Sequence, residues 1–361
     1  MFDQSKSMLA RLLSPVTCVL GLTFLVACGP SKPGAVTVAG TTFPDTVGEE
    51  HWLAFEQNVK AASGESIELR MLIYGQLGSE EQIISGLRRG RVHFANLSAL
   101  VVSTIVPEIA LLYAPYLFES EAEADYVYDQ YLTDVFRDML AEQDLHLITW
   151  YEIGFLNVYG KQPIVEPRAA SGVRFRVGAS ESARLFARSI GADVIPLGFG
   201  EVVSSLQTGL IEAGENAVSL YARTGIAQEA PHLTLTRHAF GTSVIVTRKS
   251  WWDGLDAESQ TILQSAYPEL RESREAIRAE SARDLENAAQ LGIHSYEPNR
   301  QQLESWRQVT RKNTDELVQS IGGRAAEIMQ LIEKGKREFS ARQNARGIIT
   351  ATDTREPATA L

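Results

Sequence analysis

The chain has 361 residues, 44% of them hydrophobic and 22% charged, and a formal net charge of -11. That composition is globular and long enough for two domains of ordinary size, each with its own core. The acidic balance, with no cluster of Lys or Arg, would repel a phosphate backbone, so no nucleic-acid partner is expected.

Lys6 and Arg11 accompany the uncharged, mostly apolar run Leu12 to Ala27, which fits a signal-peptide core and is short for a membrane span. The run ends Leu25-Val26-Ala27-Cys28, which resembles the bacterial lipoprotein box, where the cysteine thiol takes the lipid. An ordinary secretory signal with a chance cysteine, or an uncleaved anchor helix, are the alternatives. The cysteines are Cys18 and Cys28; cleavage would remove one and lipidation consume the other, leaving no thiol for a disulfide, for catalysis or for a metal. The expected leader is 1–27 and the linker 28–35, with periplasmic placement and membrane contact through the lipid anchor only.

After the Ser/Lys/Pro/Gly linker, Ala35 to Ala39 reads as a strand, Trp52 to Ala62 as a helix and Ser66 to Tyr74 as a second strand. Strand, helix, strand implies parallel pairing with a helical crossover. Ser79 can cap the next helix, whose first turn holds Glu80 and Glu81 and whose end has Arg88 and Arg89 before Gly90. Val92 to Leu97 follows as a third strand, with Ser98 at its carboxyl end, either a pocket hydroxyl or a helix cap. Two prolines make Ile105 to Phe118 a buried connection rather than a long helix, and Glu121 to Gln143 reads as helical.

Leu145 to Tyr151 reads as a strand, and the segment from Gly154 as another. The opening grammar then repeats: strand Val173 to Val177, helix Ser180 to Ile190, strand Asp193 to Pro196, helix Gly200 to Thr208. Leu233 to Thr236 and Ser243 to Thr247 look like return strands. Ala257 to Gln290 reads as nearly continuous helix with many Glu/Arg pairs, the pattern of a solvated face. A short strand at Ile293 to Tyr296 and helices from Gln301 to Gln343 complete the fold, with a disordered tail over 346–361.

No HExxH, Walker loop, GxSxG elbow or CxxC pair appears, so the common hydrolase, nucleotide and zinc signatures are missing. Gly198-Phe199-Gly200 resembles the start of a dinucleotide fingerprint, but Val203 stands where the third glycine belongs. The six histidines lack ligand spacing, and only His238, beside a return strand, has a case for facing a cleft. No metal site and no cofactor are expected.

Residues 75–90 (GQLGSEEQIISGLRRG), 107–118 (PEIALLYAPYLF) and 172–216 (GVRFRV to GLIEAGEN), with RKSWWDGLDAESQTIL over 248–263, together resemble the DctP-type solute-binding receptors of tripartite ATP-independent periplasmic (TRAP) transporters. The resemblance spans nearly the whole chain after the leader. It implies an α/β bilobal periplasmic-binding-protein fold, two lobes joined by strands and a long helix: lobe I over 36–152 and 242–281, lobe II over 153–241 and 282–345 with the C-terminal helices. It also implies a receptor that closes on an organic acid and hands it to TRAP membrane permease subunits, and no enzyme.

By the same resemblance the carboxylate-binding arginine falls on Arg176, within Arg174-Phe175-Arg176-Val177-Gly178. A planar guanidinium offers a carboxylate two parallel charge-assisted bonds, where lysine is a point charge. The family's asparagine falls on Asn216 and its ligand-covering aromatic on Phe199, while Ser98 and Glu80 lie where the first lobe faces the cleft. Phe199 as plain core and Glu80 as a helix-dipole residue are the competing roles. Two departures matter. Leu156 stands where many relatives carry a second arginine, and Gly178 replaces the motif proline. With Tyr74, Trp150, Tyr151, Phe155 and Tyr159 near cleft-forming segments, the expected ligand is a monocarboxylate with a sizeable apolar or aromatic body. A ligand-sensing lipoprotein, or a lipoprotein enzyme on the same scaffold, are the alternative functions.

Overall fold

One sheet of nine strands runs through the computed structural model, which describes residues 34–353 and side chains as far as 345. The expected leader, Cys28 and most of the linker lie outside the described residues. The strands are β1 (Val36–Ala39), β2 (Leu69–Leu72), β3 (Phe94–Ser98), β4 (Leu145–Gly160), β5 (Arg174–Val177), β6 (Asp193–Pro196), β7 (Ala213–Ala217), β8 (His232–Arg248) and β9 (His294–Tyr296). Their order is β2-β1-β3-β8-β4-β7-β5-β6, with β9 added to β8. β1 lies parallel to β2 and β3, and β5 parallel to β6 and β7, as the repeated strand-helix-strand grammar requires.

β4 and β8 tie these two parallel sets together. The sequence reading split each into two short strands; each is instead one long strand, and they pair antiparallel from Leu145 opposite Arg248 to Gly160 opposite His232. At one end Ser243 to Thr247 of β8 pairs with β3; at the other, Leu156 to Gly160 of β4 pairs with β7. Between the ends Gly154 faces Gly241, with register irregularities on either side. Gly154 has a φ of +96°, and a Cβ added to Gly241 would stand 2.9 Å from the Gly154 carbonyl oxygen. Two glycines are needed because the strands kink and approach here.

Alternation along β8 shows how the core is divided. Val244 and Val246 point into a cluster with Leu111, Phe136 and Trp150, while Ile245 points the other way into one with Trp52, Phe55 and Phe94. Around β5 and β7, Phe175 and Phe186 pack with Trp306 on one face, and Tyr159 and Tyr221 with Leu206 on the other. Every one of these side chains is fully or almost fully buried. The helix Glu80–Arg88 forms where its signals predict: Gln82 accepts from the Ser79 amide at 2.8 Å, and Gly90 follows at a φ of +70°.

The expected helix Ala257 to Gln290 is broken at Tyr267-Pro268 into Ala257–Ser265 and Leu270–Glu286, since proline cannot continue the backbone ladder. A one-turn π-helix, Tyr128–Leu132, interrupts the expected helix over 121–143. The last helix, Ala325–Asp353, runs past the expected start of a tail at 346. Its Ile328 and Ile332 join the cluster around Leu111 and Val127, so this stretch packs on the first half of the chain. The assignment of all of 282–345 to the second lobe therefore does not fit it; an apolar stripe follows the nearest matching face, whatever its place in sequence.

Candidate functional site

The parallel strands of each set present their carboxyl ends to a common space, the position where open α/β sheets place their pockets. That space is a cavity of about 580 Å³ lined from both sets and from the β4–β8 spine. Tyr74, Glu80, Ser98, Arg176, Phe199 and Asn216 all line it.

From the first set, Glu80 opens its helix and turns back over the end of β3. Its two carboxylate oxygens accept from the amide and the hydroxyl of Ser98, each at 2.6 Å. Ser98 also caps the short helix Ala99–Val102, accepting from the Val101 amide at 3.3 Å, so it is at once a cap and a lining hydroxyl. Burial holds the Glu80 carboxyl above the usual range, against the opposing pull of the Ser98 bonds and, more weakly, of Arg176. Tyr74 is half-exposed at the rim, and its hydroxyl donates to Glu49. That bond is the main reason the Glu49 carboxyl lies below its usual range.

From the second set comes Arg176, on β5. It is 8% exposed, and its Nε donates to the Leu197 carbonyl at 3.1 Å. No carboxylate among the described residues reaches it within salt-bridge distance, and its terminal nitrogens take no hydrogen bond there. Buried guanidinium groups are ordinarily paired, so two open donor positions at a cavity wall are suited to an anion. Gly178 keeps the approach clear: an added Cβ would stand 3.1 Å from Leu100 Cδ1 and within 4 Å of both terminal nitrogens. Asn216 on β7 spends its Oδ1 on the Ala217 amide at 2.9 Å and has no partner for Nδ2 among the described residues. The Phe199 ring centre lies 5.9 Å from the Arg176 guanidinium and 5.7 Å, edge to face, from Phe43 of the first set. Leu156, in place of a second cation, lines the apolar wall with Ile153 and Leu100.

Two expectations fail on position. Trp150 is not in the cavity. Strand alternation sends it to the opposite face from the lining residue Tyr151, where it packs edge-on to Tyr128 and Phe136 and donates from Nε1 to Thr133 at 3.0 Å. His238 is also not a lining residue. It is stacked on Phe186 with 3.9 Å between ring centres, one layer behind the cavity, and its Nε2 lies 2.7 Å from Oε2 of Glu215. Glu215 does line the cavity, and sequence reasoning passed over it although it stands next to Asn216. The available signal was a charged residue in the middle of a short interior strand, which requires a buried partner. Phe43, whose ring meets Phe199 across the cavity, was passed over as well.

A family model described as bacterial extracellular solute-binding protein, family 7 (DctP), matches residues 39–320. The ectoine-binding periplasmic protein TeaA of Halomonas elongata is 23% identical over 283 residues, 76% of this chain and 82% of that protein. Among solved structures, the sugar acid binding protein DctPAm of Advenella mimigardefordensis, in complex with galactonate, superposes with a TM-score of 0.78 at 23% identity, covering 84% of this chain and 99% of that one. A TRAP periplasmic solute binding protein of Desulfovibrio salexigens with bound orotic acid gives 0.79 at 18% identity, with 84% and 99% coverage.

Proposed function

This chain belongs to bacterial extracellular solute-binding protein family 7, and on that premise we propose that it is a periplasmic receptor that takes a small organic acid by its carboxylate and delivers it to a TRAP-type permease. The relatives and structural neighbours are binding proteins, and binding rather than catalysis is the role assigned here. The observation that carries the carboxylate grip is Arg176: a guanidinium buried at the cavity wall, braced by the Leu197 carbonyl, with both terminal nitrogens uncommitted among the described residues. Asn216 Nδ2 supplies a further donor, and Phe199 covers the guanidinium.

The remainder of the ligand is a sizeable, partly apolar body with no second carboxylate. Support comes from Leu156, Ile153, Leu100 and Leu197 in the wall, and from the lack of any lining cation besides Arg176 among the described residues. Orotic acid in a structural neighbour is a precedent for a ring bearing one carboxylate. Lobes over 36–152 with 242–281, and over 153–241 with 282–324, would close on the ligand by bending β4 and β8 near the Gly154–Gly241 pair. Cys28, in its Leu-Val-Ala-Cys setting, anchors the protein to the membrane by a lipid; a Cys28→Ala chain that still fractionates with membranes would refute that.

Native mass spectrometry of protein purified from the periplasm-facing fraction tests the function. A retained small acid, displaced on mild unfolding, is the expected result. Calorimetry then compares aromatic and branched-chain monocarboxylates with succinate; tight binding of succinate alone would overturn the monocarboxylate reading.

A further inference from the structure

The cavity that receives an anion is itself acidic. Among the described residues Arg176 is the one cation in its lining, against six glutamates: Glu80, Glu81, Glu152, Glu201, Glu215 and Glu280. Four of these are accounted for. Both oxygens of Glu152 are held by Arg278. Glu280 accepts from the Val47 amide at 3.0 Å and lies 3.7 Å from Arg223, Glu201 accepts from the Gly198 amide at 3.1 Å, and Glu81 is exposed on its helix.

Glu80 and Glu215 remain. Among the described residues Glu80 is bonded only by Ser98, a neutral partner. Glu215 is 6% exposed; His238 takes its Oε2, and its Oε1 has no hydrogen-bond partner among the described residues. His238 is itself fixed by Thr236 at 2.8 Å and by the Phe186 ring, so Glu215 is aimed rather than free to swing. The lining phenol of Tyr113 lies within electrostatic reach of both carboxylates, and Glu80 within reach of Arg176. A buried and a half-buried carboxylate on one cavity favour a positive occupant and disfavour a second negative group.

Resting on the carboxylate grip proposed above, we propose that the ligand is a zwitterion whose carboxylate lies on Arg176 and whose cationic nitrogen donates to Glu215 Oε1 and Glu80. His238 is then a positioning residue, holding Glu215 for that contact. A sugar acid would instead place hydroxyls on these glutamates and on lining residues such as Thr41, Thr42, Asn96 and Ser243, so D-glucuronate is the competitor that the test has to separate.

The test uses matched rings on the full protein after its retained ligand has been removed by unfolding and refolding. Calorimetry compares piperidine-2-, -3- and -4-carboxylate with cyclohexanecarboxylate, in which a methylene replaces the cationic nitrogen, and with succinate and D-glucuronate. At least one piperidine acid is expected to bind about ten- to hundredfold more tightly than cyclohexanecarboxylate, the range for a charge-assisted buried hydrogen bond. Glu215→Gln should remove most of that advantage. Failure of every piperidine acid to bind, or equal or tighter binding of cyclohexanecarboxylate, succinate or glucuronate, overturns the proposal without needing the variant. If those acids bind and Arg176→Lys weakens them, the carboxylate grip stands while the zwitterion falls. If Arg176→Lys leaves whichever acid binds unaffected, the grip itself falls.

Discussion

Replacing Arg176 by lysine keeps the charge and removes the fork, which makes it the sharpest probe of the proposed carboxylate grip. The guanidinium offers two parallel bonds from terminal nitrogens that no other described residue uses, and its Nε bond to Leu197 fixes the plane in which they point. A lysine ammonium in the same place makes at most one such bond and has no brace. Losing one charge-assisted buried bond and its pre-orientation costs about 2–4 kcal/mol, or roughly 30- to 1000-fold in affinity. Ligand-free stability should hardly move. The Leu197 carbonyl loses a bond of about 1 kcal/mol, while a buried cation with no counter-ion gives way to one on a longer, more adaptable stem. In a chain of this size that difference shifts the melting temperature by no more than about 3 °C. Calorimetry with the retained ligand and melting of the stripped protein read the two effects separately. Affinity within about threefold of the unsubstituted protein would refute the reasoning, and so would a stripped protein that melts more than about 10 °C lower, because Arg176 would then be a strut.

Trp150→Ala should behave in the opposite way. Removing a 2%-exposed indole wedged between Tyr128 and Phe136 should cost about 3–5 kcal/mol of stability, while affinity measured on the folded fraction stays the same; a selective loss of affinity would return Trp150 to the cavity. His51 gives a pH signature. Burial lowers its pKa to about 4 from an ordinary 6.5, so between those values the unfolded chain takes up a proton that the folded protein refuses. Its contribution to stability is therefore lost as pH falls from about 6.5 to about 4, amounting to about 2 kcal/mol between pH 7 and pH 4.5. His51→Gln should flatten denaturant-derived stability over that window by this amount, and an unchanged slope would exclude His51 as the source.

Local signals made much of the molecule legible. Ser79, the acidic first turn and Gly90 specify one helix, and the strand-helix-strand repeats specify parallel sets without any tertiary information. Long-range facts were not legible. Gly154 and Gly241 each interrupt an apolar run and so read as strand ends, whereas in the sheet they face one another and let two long strands bend without stopping. Trp150 and Tyr151 are adjacent aromatics on one strand, and only the identity of the neighbouring layers decides which faces the cavity. For His238 the neighbourhood was right and the layer wrong, because a histidine inside a long strand carries no mark of depth. Glu215 was legible in principle: an acid within Ala213–Ala217, every residue of which is buried, must be neutralised or used.

The shared pair β4 and β8 also sets a constraint on how the chain acquires its structure. Its partners are roughly 70 to 100 positions apart in sequence, and such distant pairings are reached slowly because loop closure must come first. Until residues 232–248 are available, β4 has one open edge along its whole length, and the β1–β3 set has no bridge to the β5–β7 set. Neither half can therefore finish alone, and a chain cut short before β8 would present one open edge along a sixteen-residue strand for wrong partners to join. The two halves are distinct in what they offer a ligand, yet they are one unit in folding.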